Sequence, residues 1–231
     1  MQFSAVDNGA TAALGNSQSS TASVDATATT EATFAIKTTG ADNVAVDGSA
    51  VNMDGNSTTA LARGNSASNA MTYSVGATYS GNVGAAIDGT SSAAATAVVL
   101  NDQYNGGAVN ALAQNAVYSV AFNDYTTGTT TGTAASGSAF SNSNNAVNAL
   151  AYGNSAVNSL NMSTFGAGLP SSAVSSVQAN NGVVTATATG VQFSMAATGG
   201  TTGSVMRSTG NSVTAQAVGN SSVSTIGGGG I

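Results

Sequence analysis

Residues Asn145–Leu160 read NAVNALAYGNSAVNSL, and the same pattern recurs without gaps at Asn56–Met71 (NSTTALARGNSASNAM) and Asn211–Ile226 (NSVTAQAVGNSSVSTI). All three obey N-(S/A)-x-x-A-x-A-x-G-N-S, then four residues and an apolar one. A fourth copy, Gly107–Val120 (GAVNALAQNAVYSV), lacks one residue at the Gly-Asn step, and Asn8–Ala22 (NGATAALGNSQSSTA) is a looser fifth. Within a copy, small and larger residues alternate, as in Asn148-Ala149-Leu150-Ala151-Tyr152. A period of two marks a β-strand with two different faces. Val183–Thr189 and Val44–Asp47 alternate in the same way.

The central Asn of the five copies falls at Asn16, Asn65, Asn115, Asn154 and Asn220, in steps of 49, 50, 39 and 66 residues. Three of these steps are near multiples of one short unit, and a short repeat that cannot bury its own apolar face has to stack on its neighbours. The expected fold is therefore all-β, a β-solenoid (β-helix or β-roll) of about 14 coils of roughly 16 to 17 residues, about 65–70 Å long at about 4.8 Å per coil. The alternative is a β-sandwich, whose core usually draws on more Leu, Ile, Phe and Trp than this chain has. Residues 1–231 read as one repetitive domain. Irregular loops are expected near 126–137 and 165–172, and a Gly-rich tail over 227–231.

Punctuation falls on Gly64-Asn65, Gly153-Asn154 and Gly219-Asn220, and on Asp47-Gly48, Asp54-Gly55 and Asn181-Gly182. Gly and Asn tolerate positive φ, so these pairs are expected to be turns. Asn65, Asn154 and Asn220, with Asn16 and Asn115, are also candidates for amide ladders along the stack. Gln114, Gln178, Gln192 and Gln216 keep no constant period, so no glutamine ladder is expected from them. Leu61, Leu112 and Leu150 share one repeat position, with Gln216 in the fourth copy. If the alternating Ala faces inward, this position faces outward and offers a subunit contact. The opposite facing fits the pattern equally well.

Composition removes several functions. Of 231 residues, Ala (44), Ser (32), Thr (30), Gly (29) and Asn (24) make up 159, while His, Cys and Trp are absent. Without His or Cys, the usual acid–base residue, the most reactive nucleophile and the usual zinc ligands are all missing. Lys and Arg number 3 against 9 Asp and Glu, for a net charge of −6. That leaves no basic footprint for nucleic acid. No run of about 18 apolar residues is present to span a membrane as a helix. Charged residues are 5% of the chain, against about 25% in ordinary domains, and a chain this uncharged is expected to collapse and pair its backbone.

No catalytic, cofactor or metal site is expected. The oxygen-rich stretch around Asp47 and Asp54 is the one place for calcium, but it lacks both the β-roll and the EF-hand signatures. Thr residues cluster along the chain and do not recur at one coil position, as an ice-binding face requires. Met1–Ala10 has neither the basic nor the apolar region of a signal peptide, so the chain reads as a mature form, a fragment, or a protein not secreted by that route.

The Gly-Asn-Ser-Ala steps at Gly64–Ala67 and Gly153–Ala156 resemble those of curlin repeats, the secreted bacterial subunits of stacked-coil amyloid fibres. The wider N-x-x-x-A-x-A-x-G-N-S pattern is similar to that of low-complexity surface proteins with β-strand repeats, among them holdfast-anchor proteins. The resemblance covers about a third of the chain. It implies a secreted, extracellular or cell-surface structural subunit that self-assembles head-to-tail into a filament or adhesion structure of the biofilm type. The implied partners are copies of itself and a cell-surface or adhesive polysaccharide. The alternative is a monomeric or trimeric adhesin or ice-binding module that uses a flat β face.

Overall fold

The computed structural model describes residues 2–5, 11–37, 46–75, 83–87, 91–123, 135–164, 171–198 and 201–230. Every element among them is a β-strand. After β1 (Gln2–Ala5), a first coil runs through β2 (Ala12–Ser20), β3 (Val24–Ala28), β4 (Glu31–Lys37), β5 (Val46–Asp47), β6 (Ala50–Asn52) and the long β7 (Ser57–Val75). A hairpin, β8 (Val83–Ile87) and β9 (Ser91–Ala95), follows. The second coil is β10 (Ala97–Asn105), β11 (Val109–Gln114), β12 (Val117–Asn123), β13 (Ala135–Ser136), β14 (Ala139–Ser141) and β15 (Ala146–Thr164). The third is β16 (Ser172–Asn180), β17 (Val184–Thr189), β18 (Gln192–Thr198), β19 (Thr201–Thr202), β20 (Val205–Arg207) and β21 (Ser212–Gly230).

The coils stack strand on strand, in parallel, with the second coil in the middle of each sheet: β2-β10-β16, β3-β11-β17, β4-β12-β18 and so on around to β7-β15-β21. The architecture is solenoid-like, and its stacking step corrects the expected one. Stacked residues lie 85 and then 75 positions apart at the start of a coil, and 89 and then 66 at its end. The reason is geometric. The three gapless repeats are β7, β15 and β21, which lie directly on one another in register. The fourth copy, on β11, belongs to the opposite wall of the same coil. Both walls line one core, so both carry the small-residue alternation, and the spacing of the copies mixes steps within a coil with steps between coils. Three layers make a stack about 14 Å high at about 4.8 Å per layer.

The core is thin. Ala60, Ala62, Ala149 and Ala151 of the long strands face Val109, Ala111 and Ala113 of β11. Further along, Met71, Tyr73 and Leu160 face Ala12, Ala97 and Val99. Alanine is a poor strand former by propensity, and it occurs here because only a small side chain fits between walls this close. A third cluster joins Val120 to Phe140. The β8–β9 hairpin covers Val98 and Leu100, which point outward from β10.

Left-handed corners also stack. Gly48, Gly137 and Gly203 share one corner at φ of 58°, 57° and 60°, and Gly55, Asn144 and Gly210 share another at 73°, 56° and 68°. Positive φ is the conformation Gly and Asn tolerate, so the Asp47-Gly48 and Asp54-Gly55 turns hold. Gly227–Gly230 corrects the expected tail, since it is strand paired with Asn161–Thr164. Of the two expected loops, 126–134 and 165–170 lie outside the described residues, whereas Ala135–Ser136 and Ser172 are strand.

Candidate functional site

The expected ladder forms on the long strands. Asn65 Nδ2 donates to Asn154 Oδ1 at 2.8 Å, and Asn154 Nδ2 to Asn220 Oδ1 at 2.7 Å. The second amide hydrogen of each crosses the core to a backbone carbonyl, at Tyr104, Ala179 and Gln178 respectively. Asn16 joins a different column, donating to Asn101 Oδ1 at 2.9 Å, and Asn101 continues it to Ser176 Oγ. Asn69 and Asn158 form another at 2.8 Å. Asn115 belongs to none of these columns. Its φ of 51° makes it a corner stacked beside Gly190.

Gly64, Gly153 and Gly219 are not turns: they lie inside the 19-residue strands. A Cβ on Gly64 would sit 2.6 Å from Asn105 Oδ1, and one on Gly153 would meet Asn180 Oδ1. Glycine is needed because the carbonyl of the glycine stacked in the next layer (Gly153 O 2.5 Å from a Cβ on Gly64) and an asparagine from the opposite wall both lie where a Cβ would stand. Asn105 Oδ1 is buried with no hydrogen-bond partner. Asn180 follows it in the column, but the first coil places the shorter Ser20 at that position.

A glutamine column went unrecognised in the sequence. Gln178 Nε2 donates to Gln103 Oε1, and Gln103 Nε2 to Gln18 Oε1, both at 2.7 Å. Each amide also donates across the core to the long strand, at Ser66, Ser155 and Ser221. The signal was present as Asn16-Ser17-Gln18, Asn101-Asp102-Gln103 and Ser176-Val177-Gln178, two strand positions apart in each coil. A further column joins Asn56, Asn145 and Asn211.

The leucine position faces outward, with the alternating alanines inward. Leu61, Leu150 and Gln216 stack in one column, whereas Leu112 lies on the opposite wall between Thr27 and Thr187. Next to this column Arg63 packs over the Tyr152 ring at 5.7 Å. Asp54 is held by the Ser141 hydroxyl and the Ser143 N–H, both at 2.7 Å. Among the described residues no three carboxylates gather in a group that could hold a metal, and no helix is long and apolar enough to cross a membrane.

The two ends of the stack are open along different strands: Thr58, Ala60, Ala62 and Met71 of β7 are buried like the β15 residues stacked on them, whereas β21 is not. Val147 and Leu160 of the middle coil are fully buried, while Val213 and Ile226, stacked directly on them, are 51% and 52% exposed. Phe140 is 2% exposed and its neighbour Met206 37%. At the other end, Phe34 stacks on the sealed Val120 and is 43% exposed. The backbone is open as well. Ser212 N–H donates to Asn145 O and Ala146 N–H to Asn56 O. Alternate residues of a parallel strand bond to opposite sides, so N–H groups of Val213 and Ala215 face away from the stack at one end, and those of Ser57 and Thr59 at the other. No protein-family profile, curated protein or solved structure matches the chain.

Proposed function

We propose that the chain is a non-catalytic structural subunit that self-assembles head-to-tail through its two outer coil faces, into a filament or surface-adhesion structure outside the cell. The observation that carries this reading is the state of the end layers: side chains that the second coil seals are half-open at Met206, Val213 and Ile226 of the third coil and at Phe34 of the first. An open sheet edge over a sliced apolar core is a template for another copy. The near absence of charge supports the reading, since little repulsion opposes packing. Negative-stain electron microscopy at physiological salt tests it. Unbranched filaments are expected, and discrete monomeric particles at high concentration would overturn it.

A further inference from the structure

The end faces carry more information than their openness. In the asparagine column every amide donates toward the third coil, from Asn65 to Asn154 to Asn220. In the glutamine column the direction is reversed, from Gln178 to Gln103 to Gln18. The first-coil face therefore presents the acceptor Asn65 Oδ1 and a spare Gln18 N–H. The third-coil face presents a spare Asn220 N–H and the acceptor Gln178 Oε1. Each donor on one face has its acceptor at the same column position on the other. Two identical faces brought together would oppose donor to donor and acceptor to acceptor.

Resting on the head-to-tail reading, we propose that the partner of the third-coil face is the first-coil face of a second copy, in the same register that joins coils within the chain. Asn220 then donates to Asn65 Oδ1 of the next copy, and Gln18 of that copy donates to Gln178 Oε1. Ser212 lies against Ser57, and Gln216 against Leu61. The half-open Val213 and Ile226 gain cover over Thr58 and Met71, which are already buried in the single chain. The same register puts Gly227–Gly230 on Thr72–Val75, the four residues to which β1 is paired in the single chain. β1 thus occupies the place of the incoming strand end and has to leave it.

The test is cysteine cross-linking, in a chain with no native cysteine. In the double variant Leu61→Cys with Gln216→Cys, the two sulfurs lie on outward positions two layers apart within one chain. That is about 9.6 Å, too far for a disulfide, whose Cα atoms lie within about 7 Å. Between copies in the proposed register they are adjacent. A second in-register pair is Thr59→Cys with Thr214→Cys. The off-register control, Leu61→Cys with Val218→Cys, is two residues out of step. Assembly is measured by pelleting under reducing conditions before oxidation, and the chains are then separated by size. The expected result is a ladder of covalent oligomers from both in-register pairs and its loss in the control. Pelleted filaments in which neither in-register pair cross-links would overturn the register and leave self-assembly standing. A chain that stays monomeric before oxidation would overturn both.

Discussion

The long strands of the second and third coils are built from matching residues, yet only that of the second is sealed. Leu160 and Ile226 point into the same core from stacked strands, and so do Val147 and Val213, but within each pair the outer residue is half in water. The third coil has the composition of an interior layer. Position in the stack, and not residue type, separates the two regions. A layer that is apolar inside and amide-matched above and below is chemically suited to having a neighbour on both sides.

That comparison can be broken most strongly through the core. Leu160→Ala should cost about 2–5 kcal/mol, because the site is enclosed on all sides. Ile226→Ala should cost less than half as much in the monomer, since Ile226 is already half solvated. Urea denaturation of both variants measures the gap, and equal losses would erase the distinction between middle and end.

The amide columns give the next effect. Asn154→Ala removes the acceptor for Asn65 and the donor to both Asn220 and Ala179 O. Leaving those groups buried without partners should cost about 1–3 kcal/mol. Asn220→Ala breaks the column only at its open end and should cost about 1 kcal/mol or less. Thermal unfolding of the two variants ranks them.

A smaller change sharpens the comparison in the stabilising direction. Asn105 Oδ1 lacks a partner because Ser20 is too short to reach it. Ser20→Asn should complete that column and add about 1 kcal/mol, seen as a raised urea midpoint. The smallest effect on stability belongs to β1. Phe3→Pro with Ser4→Pro removes two successive backbone donors, one of which faces β7. Stability should change by about 0.5 kcal/mol or less, while the lag before pelleting shortens several-fold. An unchanged lag would mean that β1 does not compete with Gly227–Gly230.

The sequence made the all-β, stacked character plain, because Ala149 and Ala151 alternate with Leu150 and Tyr152 in a pattern only a two-faced strand explains. The column Asn65–Asn154–Asn220 was legible for the same reason: its three copies are gapless and stack in register. Coil size was not legible. The copy at Gly107–Val120 looks like another coil in one dimension, although it is the facing wall of the same coil, and the chain carries no local mark of which wall a strand joins. Gly64 and Gly153 misled in a related way. Glycine before asparagine fits a turn, and only the stacked layer's carbonyl and the asparagine arriving from the opposite wall show why a strand needs it. The glutamine column escaped because Gln18, Gln103 and Gln178 sit in segments outside the gapless repeats.

Fibre diffraction from aligned filaments tests the central claim most directly. Coils stacked in register within and between copies predict a meridional spacing of about 4.8 Å together with an axial subunit repeat of about 14 Å, three layers high. Filaments with an axial repeat unrelated to three layers, or a preparation that yields only discrete particles, would contradict the account.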